Sequence, residues 1–529
     1  MTSRKQRTIN SSLWAAYGDA LGFISELADS NILFKRTGTK AVSKLIDWER
    51  KIGGLYGPII QLPSGAYSDD TQLRLSTSRA INSKNRFDIN AFSKIELPTW
   101  SCYALGAGVG SKLAANSLSK KSSAWYNNFY TTNKANYISS GGNGAAMRIQ
   151  PHVWSSALPE NSDTFIVDVI KNSLTTHGHP RAIAGAVFHA LCLSYVITNE
   201  KIPDLRDARF FLEKIAKIPD LIKSNINLRT AWIPLFESKS NTTIEESYSK
   251  VSDELTDLLK KLEFLQENKD VTYSHISEIL DLKNKEIRGS ATLTSIAALG
   301  AALLIKKDLN LVLLDIVNDL GSDTDSIATM AGALRGYLEI TAPPQRVQDQ
   351  DYIEYDATRL YELSQGKECD SFNYPNLENW GTPASTLDYV NLEQDILKIV
   401  SIGEVSIISK EFRSRNTDSY NYSFQWVKSK FGQSFLVKIR DEFKEKMNFK
   451  KNQNEIVEQV NLELSEEKNN ETESYNLDSL TSDAIKSNFD AKIIGEHILM
   501  LSSSSGINEV VAYSAIISKA IISRTRRKN

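Results

Sequence analysis

Cysteine is scarce. The chain has three in 529 residues, Cys102, Cys192 and Cys369, and an odd, widely spaced set supports neither a disulfide framework nor a thiolate zinc site. They read as plain core or surface thiols. An excess of charge of one sign is also missing: 62 Lys and Arg stand against 64 Asp and Glu. No global basic field is present to hold nucleic acid by counterion release, so no general nucleic-acid binding is expected. After the Lys- and Arg-bearing residues 1–10, no apolar stretch is long enough for a signal peptide or a membrane span. The chain therefore reads as cytoplasmic, without a membrane partner.

What is present is an ordinary globular composition, 41% hydrophobic and 24% charged, in a chain too long for one hydrophobic core. Two or more domains are expected. From Asn10 to roughly Ile340 the pattern is helical, with Ala-rich apolar runs, glycine breaks and few strand-like alternations. The runs through Leu13, from Ala182 to Val196 and from Ala291 to Ile305 are too apolar to lie on a surface, so they predict the central helices of an all-α domain. Residues 201–285 are more charged at helical spacing and predict a peripheral helical insertion. Pro343-Pro344 ends one helix, Tyr352 to Gln365 predicts another, and the domain is expected to close near Gly366.

Beyond that point, aromatics cluster in residues 420–426 and 431–435 and predict a small domain over 367–460, of α+β character if the cluster forms strands. Residues 461–482 read as an acidic linker or loop and 483–529 as a helical segment. In that segment Ile507, Val510, Val511, Ala515, Ile516 and Ile522 recur at helical spacing ahead of the basic run 524–528, which favours a helix C-terminus. The aromatic cluster reads first as core and second as a surface that docks a partner.

Two acidic segments, Ser68-Asp69-Asp70-Thr71 and Asp323-Thr324-Asp325-Ser326, share one design, clustered carboxylates beside a hydroxyl and ahead of an apolar helical run. Oxygen-only sets of this kind suit Mg2+ rather than zinc. Asp and Ser are equally the preferred N-cap residues, so taken singly each segment is explained as a helix start. If the two loops meet, four buried carboxylates converge, which is very costly without cations. Glu26, after Gly18-Asp19-Ala20-Leu21-Gly22, is a further candidate for that cluster or else a solvated surface residue. Ser140-Gly141-Gly142-Asn143-Gly144, ahead of an expected helix start, has the small residues that let backbone N–H groups approach a phosphate, or that make an ordinary turn. Thr176-His177-Gly178-His179-Pro180 offers two imidazoles or a capped helix start.

With these five segments in this order, about two-thirds of the chain resembles the ADP-ribosylglycohydrolase family, which includes the dinitrogenase reductase-activating glycohydrolases. Gly18 to Glu26, Ser68 to Thr71, Gly142 to Arg148 and Asp323 to Ala328 match its motifs. The resemblance implies a compact all-α fold with two Mg2+ ions in a cleft, held by Ser68, Asp69, Asp70, Asp323, Asp325 and Ser326. It also implies a catalytic or gating role for Glu26, a diphosphate cradle in Ser140 to Gly144, and contact of His177 with ADP-ribose. His179 has no assigned role. Ser68 and Ser326 replace the commoner Thr and keep an oxygen ligand, whereas Ser322 stands where the family usually has Gly.

The implied activity is hydrolysis at the anomeric carbon that frees ADP-ribose from an ADP-ribosylated protein or other target. Metal would orient ribose and water, with Asp69, Asp70 or Glu26 as general base. The competing readings are a catalytically silent ADP-ribose-binding or structural module, and a hydrolase of a related nucleotide conjugate. Whether the bond cut is to arginine, serine or a nucleobase is a property of the cleft rim, which these motifs do not encode.

Overall fold

The computed structural model describes residues 3–54, 57–268, 270–413, 421–446, 476–504 and 507–526. It is 56% helical and 9% strand, consistent with the expected helical domain. Two compact units divide the chain, Met1–Asp441 and Glu442–Asn529.

In the first unit the helix Arg4–Ser25, capped by the Ser3 hydroxyl, is buried along almost its whole length from Asn10 onward. It packs along Thr324–Gly336, while Ala291–Leu304 packs against Pro180–Asn199. The contact between the first pair is unusually close because glycine sits on both sides: Gly18 abuts the Ala328 carbonyl, Gly22 abuts Asp325, and Gly332 abuts the Trp14 carbonyl. Pro180–Asn199 is apolar and long enough to cross a membrane, yet 83% of its most apolar window is buried inside the protein, where it forms a core helix. His179 starts it by accepting the Arg181 N–H on its side chain, with Pro180 in the first turn.

Residues 201–285 form amphipathic helices, including Leu205–Ala216, Ile233–Ser240 and Ile244–Gln266. Their apolar faces join the same core cluster as the central helices, with Trp232 fully buried. The helix predicted over Tyr352 to Gln365 is Gln350–Ser364.

The boundary expected near Gly366 falls inside the first unit. Five antiparallel strands pair in chain order in one sheet, β3 (Val390–Glu393), β4 (Ile396–Ile399), β5 (Gly403–Ile407), β6 (Tyr422–Ser429) and β7 (Ser434–Arg440). It follows a two-stranded hairpin, β1 (Trp48–Lys51) and β2 (Ile59–Leu62). Of the aromatic cluster, Tyr422, Phe424 and Trp426 lie on β6 and Phe435 on β7, Phe431 sits in the turn between them, and Tyr420 lies outside the described residues; Phe412, Trp426 and Leu436 are buried in the main core rather than in a core of their own. The physical tie is a buried network: Arg79 pairs with Glu96 through two bonds of 2.8 and 2.7 Å and reaches Gln433 at 2.6 Å, and Tyr374 donates to Glu96 at 2.6 Å. Asp349 likewise accepts from Ser434 and from Tyr67. The expected separate domain at 367–460 is thus, up to Asp441, part of the first unit.

Of the expected acidic linker, residues 461–475 lie outside the described residues, and the remainder opens the helix Leu477–Lys486. It packs with Ala491–Ser504 and Ile507–Arg526 in the second unit. The unit closes on Leu480, Ala484, Leu501, Tyr513 and Ile517. Of the stripe read from the sequence, Val511, Ile516 and Ile522 are exposed, because Tyr513, paired with His497 at 2.6 Å, turns a different face inward.

Candidate functional site

The helix Asp69–Arg79 begins where Ser68 leaves an extended conformation and its hydroxyl accepts the Asp70 N–H at 3.3 Å. The turn is fixed from below by Asp19, fully buried on the first helix, whose two carboxylate oxygens accept the N–H groups of Ser68 at 3.0 Å and Thr71 at 2.9 Å. With these donors satisfied from the helix below, Asp69 and Asp70 line a cavity of about 370 Å³.

The second acidic loop enters the same cavity with Asp323, Asp325 and Ser326. Asp323 occupies the N-cap position of Thr324–Gly336 but makes no side-chain cap bond. Its carboxylate instead accepts from the Asn143 side chain at 2.9 Å. Capping therefore accounts for Ser68 and does not account for Asp323. Ser326 donates to Asp70 at 3.3 Å, so the two loops touch directly across 256 positions of sequence. Glu26 is not a solvated surface residue: it lines the cavity and pairs with Arg50 of β1 at 2.8 Å, the two side chains being 13% and 16% exposed.

The glycine-rich loop forms the opposite wall. The N–H groups of Ser140, Gly141 and Asn143 donate to the carbonyls of Tyr137, Ser139 and Gly289. Those of Gly142 and Gly144 have no acceptor in the described backbone. Gly144 has no room for a side chain, since a Cβ there would stand 2.8 Å from the Ser111 hydroxyl and 3.0 Å from the His177 ring. Arg148, buried, braces the loop through the Gly144 carbonyl at 2.9 Å while bonding to Asn172 and Thr176. The helix start expected after the loop takes the form of a three-residue 3-10 turn, Ala146–Arg148, followed by the five-residue helix Gln150–Trp154, so an anion at the loop would meet individual loop N–H groups.

His177 lines the cavity, with its Nδ1 bonded to the Thr176 hydroxyl at 2.7 Å. Burial first, then the neighbouring Arg148 guanidinium, lower its pKa to about 3, which keeps the ring neutral. His179 does not line the cavity: it caps Pro180–Asn199, and its ring packs beneath Gly141 of the loop.

Burial raises Asp69, Asp70 and Asp325 well above the usual carboxylate range, and their mutual repulsion with Glu26, Asp19 and Asp323 adds to it. Glu26 is raised too, chiefly by burial, with Arg50 opposing the rise and Asp323 adding to it. One oxygen of Asp70, Oδ2, is buried without a hydrogen-bond partner. An orphaned carboxylate oxygen among other carboxylates and serine hydroxyls is a donor set that fits a hard divalent cation. As the side chains stand, no three acidic, imidazole or thiolate groups among the described residues are arranged to hold a metal. Asp323 and Glu26 are turned toward Asn143 and Arg50.

Asp19 has no motif role in the sequence, and its one signal there is a charge inside a helix too apolar for the surface. Arg50 had no signal: it lies in a short strand far from any motif. Every residue singled out for the site lines the cavity except Ser68, which is buried beside Asp69 with its hydroxyl capping the helix Asp69–Arg79.

No curated protein matches the chain. A solved structure titled "ADP-ribosylglycohydrolase-related protein complex" is 18% identical, spans 69% of this chain and 100% of its own, and aligns with a TM-score of 0.42. The ADP-ribosylglycohydrolase family model matches residues 1–369, a span that holds both acidic loops, Glu26 and the glycine-rich loop. The chain belongs to the ADP-ribosylglycohydrolase family, a family of glycosidic hydrolases that act on ADP-ribosylated substrates.

Proposed function

We propose that the chain is a Mg2+-dependent hydrolase that frees ADP-ribose from an ADP-ribosylated protein or other target by cleaving the glycosidic bond at the anomeric carbon. The observation that carries the reading is the buried, unpartnered Asp70 Oδ2, in a cavity where Asp69, Asp323, Asp325 and Glu26 also converge. Such a cluster is costly in a protein that binds nothing there and useful in one that binds cations. Two Mg2+ ions would be held by Asp69, Asp70, Asp323 and Asp325 with the hydroxyls of Ser68 and Ser326. When bound they supply charge stabilisation at the ribose and a water of lowered pKa.

The chain's own residues do the rest. The Gly142 and Gly144 N–H groups, with Ser140, receive the diphosphate. His177, neutral, offers its second ring nitrogen to the ligand as an uncharged partner. The water's proton would pass to one of Asp69, Asp70 or Glu26 as general base. Water oxygen bonds to the anomeric carbon as the bond to the target breaks, and the target leaves with the proton that the carboxylate took from the water. We place this activity in the cytoplasm.

The test is release of free ADP-ribose from ADP-ribosylated arginine and serine peptides by the wild type and by Asp323→Ala and Asp325→Ala. Release by the wild type alone supports the reading and identifies the linkage. Tight ADP-ribose binding with no release from any linkage would replace it with a binding module.

A further inference from the structure

Five carboxylates line the cleft, those of Glu26, Asp69, Asp70, Asp323 and Asp325, and among the described residues one ion pair is made to them, from Arg50 to Glu26. Glu26 stands between the two acidic loops. After burial, its charge is the largest cause of the raised pKa of Asp69 on one loop and of Asp325 on the other.

The backbone at Glu26 is fixed. Its N–H donates to the Gly22 carbonyl at 2.8 Å as the helix Arg4–Ser25 ends, and Arg36 donates to the carbonyls of Ile24 at 2.9 Å and of Glu26 at 2.8 Å, which satisfies that helix end. The carboxylate has a single tie, the Arg50 Nη1 at 2.8 Å, and no other hydrogen bond reaches it among the described residues. Arg50 is itself anchored. It lies two residues from Trp48 on β1, and both side chains pack on Phe23, the Trp48 ring edge-on at 5.2 Å and the Arg50 guanidinium over the ring at 4.7 Å. Phe23 precedes Glu26 by three residues, so the guanidinium is held between a ring and a carboxylate on one side of the same helix end.

Charge indicates what the pair does. Two divalent cations are balanced by the four aspartates, which leaves Glu26 as a fifth negative charge that Arg50 balances. We propose that Arg50 is a positioning residue that holds Glu26 out of the metal ligand set and leaves the cations to the aspartates and serines. The inference rests on the hydrolase reading and adds a constraint that the reading leaves open. Without Arg50 the Glu26 carboxylate is largely buried and unpaired, and a cation held between Asp69 and Asp325 is the positive charge it can turn to. Removal of Arg50 therefore tightens Mg2+ binding, whereas loss of a merely structural prop would weaken it.

The probe is Mg2+, titrated calorimetrically into the full chain after stripping with EDTA, in the wild type, Arg50→Gln, Arg50→Lys and Arg50→Gln/Glu26→Gln. The expected result is binding about tenfold or more tighter in Arg50→Gln, because a positive charge beside the cations is lost and a carboxylate joins their ligands. Arg50→Lys, which keeps the charge, should stay within about threefold of wild type. The double variant removes both charges together and should also return to within about threefold, so that the gain is traced to Glu26. Affinity in Arg50→Gln equal to or below that of the wild type would overturn the proposal, as would a gain that survives in the double variant. If Arg50→Gln fails to fold, the double variant, which strands no charge, still decides: binding weakened tenfold or more there would make Glu26 a ligand in the wild type and overturn the proposal. A wild type that binds no Mg2+ would instead sink the hydrolase reading, and this inference with it.

Discussion

Replacing Gly22 by alanine adds one methyl group at the closest approach of two helices. Its Cβ would stand 2.4 Å from the Asp325 Cα, 2.6 Å from the Asp325 nitrogen and 2.6 Å from the Thr324 carbonyl oxygen. Non-bonded carbons prefer about 3.5–4.0 Å, and every obstructing atom is backbone, so no side chain can swing away. The helices Arg4–Ser25 and Thr324–Gly336 must part by roughly 1 Å, an overpacking that costs about 3 kcal/mol. Better helix propensity of alanine returns about 1 kcal/mol, leaving a net loss of about 2 kcal/mol. The same displacement moves Asp325 and Ser326 within the cleft, and a shift of about 1 Å in a reacting constellation costs on the order of 100-fold in rate. Urea unfolding reads the first effect and ADP-ribose release reads the second. Gly381→Ala is the control, since nothing lies within 4 Å of its added Cβ, and its stability should stay within about 0.5 kcal/mol of wild type. A Gly22→Ala protein with the wild-type urea midpoint and the wild-type rate would refute the packing argument.

Three further outcomes follow from the same structure. Burial and mutual repulsion raise the Asp70 pKa in the fold, so the native state holds a proton there that the unfolded chain releases above about pH 4. Stability linked to Asp70 is therefore lost as pH rises from there through the raised value. In chelator, Asp70→Asn should be more stable than wild type at pH 7.5, with the advantage vanishing toward pH 4; an advantage that grows on acidification would contradict the assignment. The difference between the two proteins is the quantity to follow, because His152, His177 and His189, each lowered to about 3 by burial, withdraw stability from both as pH falls below their unfolded value near 6.5. Glu96→Gln breaks a fully buried ion pair with Arg79 and should cost about 3 kcal/mol or more in urea unfolding. A chain ending at Asp441 should keep one cooperative unfolding transition, whereas one ending at Gly366 should not, because the latter strips Trp426 and Leu436 from the main core; equal behaviour of the two truncations by circular dichroism would show the five-stranded sheet to be dispensable.

How much was legible in the sequence depends on where the information lay. The central helices were visible because full burial leaves them nothing but Ala, Leu, Ile and Gly to display, as in Ala291–Leu304. The acidic loops were visible because clustered carboxylates beside hydroxyls have few uses. That the loops meet was not visible, since the contact from Ser326 to Asp70 is a product of how Arg4–Ser25 and Thr324–Gly336 pack. Arg50 escaped notice because its partner, Glu26, is distant in pattern though close in space. The boundary read at Gly366 lies close to the end of the family match at residue 369, while the compact unit runs on to Asp441. A glycine after a helix looks like an ending, and Gly366 does adopt a positive φ of 71° there. The ties that bind the following strands to the helix Asp69–Arg79 are single polar side chains, Arg79 to Gln433 above all. Periodicity carries no trace of such bonds.

The account rests on the acidic cleft acting through bound cations. The most direct measurement takes enzyme stripped with EDTA, restores Mg2+ in steps, and follows release of ADP-ribose from the peptide the wild type prefers, alongside Asp70→Asn. The account predicts no release without metal, saturable recovery with Mg2+, and no recovery in Asp70→Asn. Full release by the stripped enzyme, unchanged by Mg2+, would contradict it.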